Sequence, residues 1–301
     1  MTKLSVRPGY ACINLSLGEG FKTFRLKTVE NKEEEKITSV IWHNMRLFKE
    51  IILDNLQNNI YVYRLSSDLI PFCTLPYMRE LYKEKVEQND EMQSIYDLID
   101  TLRQKYDLRI SIHPSQFNVL SSTKKDVVMR SIEEINTQTS WIQRVGGKNV
   151  VLHMGGIYGD KQGAIKRLEE NLQYVDCSLL SIENDDKSYH VEDVVTLCEK
   201  KHLKWVYDFH HDRCYSTPNN NVRDYIMAYP PDKYHLSTGT PEINSRPHAD
   251  YISKVDYKNF TDFLTTCGIT KADVIFEAKK KNLAIHEILN PLKDGYWCLK
   301  V

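Results

Sequence analysis

Short runs of β-branched and apolar residues alternate along the chain with longer segments whose apolar positions recur every three or four residues between charges. Eight runs have strand character: Tyr10–Asn14, Ile60–Leu65, Arg109–His113, Asn149–His153, Leu179–Glu183, Lys204–Asp208, Lys233–Ser237 and Asp273–Glu277. Between them, Glu35–Asn55, Asp90–Tyr106, Asp126–Val145, Gln162–Val175, Val191–Lys201 and Tyr257–Thr266 carry helical periodicity, and a weaker helical pattern precedes Tyr225. Eight strands, each followed by a helical segment, predict an α/β protein built as a single (β/α)8 TIM barrel. Neither an internal repeat nor a linker rich in Gly, Pro and Ser divides the chain. Residues 1–301 are therefore expected to form one barrel domain, with the C-terminal tail from about 284 to 301 unassigned.

Composition adjusts this picture only a little. With 301 residues, 41% of them hydrophobic, the chain can bury a full core. No apolar run approaches the roughly 20 residues that cross a bilayer, and no signal-peptide core precedes Arg7 and Pro8. A cytoplasmic, intracellular protein is expected. The seven cysteines are scattered and form no C-x-x-C pair, which argues against a disulfide framework or a zinc knuckle. A net charge of −1 does not advertise a nucleic-acid binder, but bound divalent cations would reverse the field of an acidic cleft.

The chemistry lies in how the strands end. They close in turn on His113, His153, Glu183, Asp208 with His210 and His211, His235, and Glu277. Side chains at the carboxyl ends of barrel strands share one mouth, so these residues are expected to converge. Imidazole and carboxylate together suit Zn²⁺, Mn²⁺ or Fe²⁺, and a carboxylate can bridge two ions. One His or Glu at a strand end is more often a hydrogen-bonded structural residue; six such endings in succession would be costly to bury without cations. His43, His190, His202 and His286 fall on helices or loops and read as surface residues.

Loops add further candidates. Gln116 and Phe117 place an amide and a ring just past His113, where they could enter a nucleic-acid stack or simply pack the loop. Met154-Gly155-Gly156-Ile157-Tyr158-Gly159 is a glycine-rich loop that lets backbone N–H groups approach a phosphate, a weak signal by itself. Tyr10 could stack on a base or pack. Between His210 and His211 the D-x-x-H spacing favours His211 as the ligand, with His210 supporting it or touching DNA.

Nine segments in order carry a resemblance: Arg7-Pro8-Gly9-Tyr10, Tyr63 to Phe72, His113-Pro114-x-Gln116-Phe117, Val151 to Gly156, Ile182-Glu183-Asn184-Asp185, Asp208-x-His210-His211, Lys233 to Ser237, Arg246-Pro247-His248 and Phe276-Glu277-Ala278-Lys279. Together they resemble the UV damage endonuclease family, TIM barrels related to endonuclease IV. The resemblance implies an enzyme that flips a damaged dinucleotide out of double-stranded DNA and hydrolyses the backbone immediately 5′ of it, opening excision repair. It implies two or three divalent ions, Mn²⁺ first, with Zn²⁺, Co²⁺ or Mg²⁺ as alternatives. By position it implies one set of ligands in His113, His153 and Glu183, a second in Glu183, Asp208, His235 and Glu277, and a third served by His211 and His248. Glu183, Lys233, His235 and Glu277 are the expected catalytic residues, Lys233 matching a lysine that some members carry in carboxylated form. Gln116 and Phe117 match the pair that fills the gap left by flipped bases, and Tyr10 matches a stacking tyrosine. Asn14 and Tyr158 complete the expected DNA contacts, and the protein is expected to act as a monomer without an obligate protein partner. Two positions depart from the family. Phe117 stands where many members have Tyr, and Leu75 where His is frequent, so lesion range is more affected than cutting.

Three other functions fit part of the pattern: a two-metal sugar isomerase on the same barrel, a damaged-DNA binding protein that no longer cuts, and an abasic-site endonuclease without photoproduct preference. The Gln116-Phe117 pair discriminates against the isomerase, which gains little from a wedge. The complete ligand set argues against a protein that has lost catalysis.

Overall fold

A computed structural model describes residues 4–218, 221–240 and 245–289; the remainder of the C-terminal tail, from 290, lies outside the described residues. In chain order the elements are β1 (Ser5–Ala11), α1 (Leu26–Glu30), α2 (Glu34–Gln57), β2 (Val62–Leu65), α3 (Pro76–Tyr82), α4 (Asp90–Tyr106), β3 (Arg109–Ile112), α5 (Lys125–Arg144), β4 (Asn149–His153), α6 (Lys161–Asn171), β5 (Leu180–Glu183), α7 (Val191–Lys201), β6 (Lys204–Asp208), α8 (Phe209–Cys214), α9 (Val222–Ala228), β7 (Lys233–Leu236), α10 (Lys254–Thr266), β8 (Lys271–Phe276) and α11 (Lys281–Leu289). The strands follow one another from β1 to β8 in a closed barrel, the (β/α)8 topology expected from the periodicity. The chain divides into two compact units, one of residues 19–182 and one of residues up to 18 together with those from 183 onward.

In the unit of residues 19–182, β2 pairs with β3 in parallel from Val62↔Arg109 to Leu65↔Ile112, and β3 pairs with β4 through Ser111↔Asn149 and Ile112↔Val150. These strands are buried on both faces, as parallel strands covered by helices must be. Helix α2 turns Ile37, Ile41, Met45, Phe48 and Ile52 inward at three- and four-residue spacing. Helix α4 begins where the Asn89 side chain accepts from the Met92 N–H, and stops at Asp107 in the left-handed conformation, φ 51°. A buried polar chain ties strand to strand: Arg109 Nη2 donates to Asn149 Oδ1 at 2.5 Å, and Asn149 Nδ2 to Ser181 Oγ at 2.7 Å.

In the other unit, β1 pairs with β8 from Ser5↔Lys271 to Tyr10↔Phe276, and β7 joins β6 to β8 through Asp208↔His235 and His235↔Ile275. Aromatic edges hold α10 against α8 and β7: the Phe260 ring meets Phe209 at 5.6 Å and Tyr234 at 6.0 Å, both T-shaped. Among the described residues no helix is long and apolar enough to cross a membrane.

The first strand differs from expectation. It runs over Ser5–Ala11, earlier than the apolar run at Tyr10–Asn14 suggests. Arg7 and Pro8 look hostile to a strand, yet Arg7 is neutralised by two bonds to Asp273 of β8, 2.6 and 2.9 Å. The strand ends because Cys12 takes φ +66°, and Asn14 then caps a short 3-10 turn by accepting from the Ser16 N–H. Helix α6 stops at Asn171, short of the expected Val175, and passes into a 3-10 turn at Leu172–Tyr174.

Candidate metal centre

In the unit containing Glu183 several strand ends come together. Glu183 and Asp208 are the last residues of β5 and β6, His235 is the third residue of β7, and Glu277 follows β8 directly. One donor atom each from Glu183, Asp208 and His235 lies within 4.8 Å of the others, and all three residues are buried. His235 Nδ1 stands 2.8 Å from Glu183 Oε1, 3.5 Å from Glu277 Oε1 and 4.0 Å from Asp208 Oδ2. His211 Nδ1 lies 3.6 Å from Glu183 Oε1 and 3.7 Å from Asp208 Oδ2, while His248 Nδ1 lies 3.8 Å from Glu277 Oε2.

Local structure explains the D-x-x-H spacing. Asp208 caps α8, its Oδ1 accepting from the His211 N–H at 2.7 Å, so one carboxylate fixes the backbone of the imidazole three residues on. Its second oxygen stays on the cluster side. His210, adjacent in sequence, is committed elsewhere: its Nδ1 accepts from Arg213 Nη2 at 2.9 Å and its Nε2–H donates to the Arg246 carbonyl at 3.2 Å.

Charge is distributed unequally. Burial pushes the Asp208 carboxyl up to about 7, with the Glu183 and Glu277 charges adding to the effect and His211 opposing it. Burial works against a charged His211, but Asp208, Glu183 and Glu277 outweigh it and raise that imidazole to about 9. Burial lowers His235 to about 4 despite Glu183 and Glu277, and the Lys233 charge helps lower it. In the 2.8 Å contact the His235 Nδ1–H donates to Glu183 Oε1.

The donor set fits a divalent metal. Three carboxylates and neutral imidazole nitrogen are the ligand types such ions take. Asp208 Oδ2 and His235 Nε2 are buried with no hydrogen-bond partner among the described residues, a cost that a bound cation would remove.

In the unit of residues 19–182, His153 ends β4 and His113 follows β3; their ring centroids are 5.0 Å apart, and His113 Nδ1 lies 2.9 Å from the Pro114 carbonyl. Phe117 is 78% exposed and Tyr158 50% exposed, and Gln116 is also exposed. Tyr158 holds φ +51°, its ring over Gly156, where an added Cβ would lie 3.3 Å from ring carbons, and over the Arg167 guanidinium at 5.8 Å.

Two of the residues expected to contact DNA are buried. Tyr10, near the end of β1, has no exposed surface. Asn14 is likewise buried, its amide oxygen spent on the 3-10 cap. A residue not assigned from sequence is Asn184. It exchanges two 2.9 Å hydrogen bonds with the Asp208 backbone, and its carbonyl lies 2.9 Å from His211 Nδ1, so it sets the ends of β5 and β6 relative to each other. Its place beside Glu183 in the Ile182-Glu183-Asn184-Asp185 segment was the available signal.

A parallel β/α barrel whose strand ends gather carboxylates and imidazoles in a buried cluster defines the class: a β/α-barrel enzyme with its site at the carboxyl ends of the strands. The family model described as UV-endonuclease UvdE matches residues 6–296, and the chain belongs to that family of endonucleases. A UV DNA damage endonuclease of Bacillus mycoides (strain KBAB4) is 28% identical over 284 residues, covering 89% of this chain and 86% of that protein. The crystal structure of SacUVDE is similar with a TM-score of 0.79 at 25% identity, covering 95% of this chain and 99% of that one. Endonuclease IV from Thermus thermophilus, at 15% identity and a TM-score of 0.58 over 80% of this chain and 93% of its own, shares the fold. Of the functions compatible with the sequence, family membership selects the endonuclease over the sugar isomerase.

Proposed function

We propose that the protein is a metal-dependent DNA repair endonuclease that hydrolyses the backbone of damaged duplex DNA immediately 5′ of UV photoproducts, and of abasic sites as a secondary substrate. The observation that carries this reading is the buried cluster of Glu183, Asp208 and His235, with Glu277, His211 and His248 at its margin, in a chain of the UV-endonuclease family.

Glu183, Asp208, His235 and Glu277 would hold one divalent ion, His211 and His248 would serve another, and His113 with His153 supply two more imidazoles of the same type. Mn²⁺ suits this oxygen-rich set best, and Zn²⁺, Co²⁺ and Mg²⁺ remain chemically compatible. Bound there, such ions supply an activated water at neutral pH and neutralise charge on the phosphate oxygens. Glu183 and Asp208 fix the donors rigidly because neither has solvent to move into. Lys233, fully buried two residues before His235, would supply positive charge close to that imidazole. Asn184 and the cap on α8 hold His211 in place, which keeps the donor geometry from relaxing. Gln116 and Phe117 project from the loop after β3 as the wedge for a flipped dinucleotide, and Tyr158 offers a second exposed ring on the loop after β4. The protein would act on DNA inside the cell, as a monomer, without an obligate protein partner.

Four duplexes test this: one each with a single cyclobutane dimer, a 6-4 photoproduct or an abasic site, and one undamaged, incubated with Mn²⁺-loaded protein and resolved on a sequencing gel. One nick immediately 5′ of each photoproduct, slower cutting at the abasic site and none in the undamaged strand is the expected pattern. Equal cutting of all four, or binding without cutting across the four metals, contradicts it.

A further inference from the structure

The loop that follows β7 carries His248, and its attachment to the rest of the unit runs through residues outside the cluster. His210 is the hub. Its Nε2–H donates to the Arg246 carbonyl at 3.2 Å, two residues before His248, and its ring meets the His248 ring edge-on with centroids 5.6 Å apart. The orientation of His210 is itself imposed, because Arg213 Nη2 donates to its Nδ1 at 2.9 Å and leaves Nε2 as the donor. Arg213 also donates to the Ser237 carbonyl at 3.2 Å at the end of β7, and Nη1 pairs with Asp256 Oδ1. Asp256 Oδ2 in turn accepts from Thr238 Oγ1 at 2.6 Å and Ser253 Oγ at 2.8 Å, at the start of α10.

The backbone around this hub is shaped to admit it. A Cβ at Gly239 would stand 2.9 Å from the Ser245 carbonyl oxygen, close enough to force the backbone to shift, and 3.0 Å from His210 Cε1, a tight contact. Gly239 bridges His248 in antiparallel fashion, and the Ala249 N–H donates to the Thr238 carbonyl at 2.8 Å, so the two arms of the loop are laced on both sides of His248.

We propose that His210 and Arg213, backed by Asp256, are positioning residues that clasp the loop after β7 and so hold His248 at Glu277 as a ligand. The proposal rests on the metal-dependent reading above. Neither residue is asked to touch substrate or ion: His210 has both ring nitrogens engaged, and Arg213 is spent on His210, Ser237 and Asp256. The clasp explains why two adjacent histidines follow Asp208, one turned to the carboxylates and the other to the loop.

Titration of the full-length protein with Mn²⁺, followed by electron paramagnetic resonance of free ion, reads stoichiometry and affinity apart from activity. The variants are His248→Ala, His210→Leu, His210→Gln, Gly239→Ala and Arg213→Met, each checked for folding by circular dichroism. His248→Ala should weaken one class of Mn²⁺ site at least about tenfold, the loss of one ligand with its supporting shell. His210→Leu, Arg213→Met and Gly239→Ala should weaken the same class with the other sites retained. His210→Gln keeps a donor to Arg246 and should restore most of the affinity. Gly239→Ala deletes no hydrogen-bonding group, so its effect reports displacement of the loop backbone at Ser245 together with His210, and the His210 and Arg213 variants isolate the clasp. If His248→Ala leaves every Mn²⁺ site intact, the metal role of His248 fails, and the clasp loses its purpose. If His248→Ala loses a site while folded His210→Leu and Gly239→Ala keep it, the metal reading stands and the clasp is overturned. A His210→Gln variant as weak as His210→Leu would also overturn it.

Discussion

At the residue scale, neighbours in sequence are separated by what each side chain already satisfies. Phe117 is largely exposed while Tyr10 is fully buried, so of the two rings expected to meet a base only Phe117 is available at the surface. Phe117→Ala should therefore leave thermal stability unchanged within about 0.5 kcal/mol, as surface substitutions do. It should lower kcat/KM on a photoproduct duplex by about 10- to 100-fold, the range of one lost base-stacking contact. Phe117→Tyr should retain activity, since the ring area is kept. A destabilised Phe117→Ala protein with unchanged kcat/KM would assign the ring to packing. The ligand types at strand ends were legible from sequence because each terminates an apolar run. The burial of Tyr10 and Asn14 was not, because it depends on where β1 stops, which the positive φ of Cys12 decides.

At the element scale, periodicity located seven of the eight strands closely and missed the start of β1, where Arg7 looks unfit for a strand until Asp273 of β8 is beside it. That compensation spans the length of the chain and leaves no local mark. Short helices were also hard to see: α8 and α9 are six and seven residues long, too few for a periodic signal. The start of α10 has its own electrostatic signature. Burial opposes a charged Asp256, but hydrogen bonds from Thr238 and Ser253 and the Arg213 guanidinium outweigh it and hold the carboxyl below its ordinary value. A carboxyl depressed in the folded state contributes stability above its unfolded pKa, about 3.9, and loses that contribution as pH falls through the folded value. Asp256→Asn should thus cost about 2 kcal/mol at pH 7, the scale of hydrogen bonds to a charged group. Thermal melts of both proteins from pH 7 to pH 3 check it: the gap in Tm should narrow below about pH 4. A gap that stays constant or widens would mean that the charge of Asp256 is not what stabilises α10.

At the scale of the whole molecule, a nearly neutral chain belongs to a family of DNA-cutting enzymes, and the proposed metal centre would reconcile the two. Divalent ions held by its carboxylates would bring positive charge to where the phosphate lies. The barrel could be read from eight strand runs, and the imidazoles and carboxylates at its mouth from six strand ends. The roles of Asn184, Arg213 and Asp256 could not, since each acts through a contact that only the folded chain creates. The central claim is that Glu183, shared between His235 and His211, makes the metal-dependent cut possible. Its most direct test is single-turnover incision of a cyclobutane-dimer duplex by wild type and Glu183→Gln, with metal content measured on the same samples. Incision should fall at least about a thousandfold, the scale of losing electrostatic stabilisation of a transition state, while lesion binding changes less than about tenfold. Glu183→Gln that carries its full complement of metal and still cuts at the wild-type rate would contradict the account.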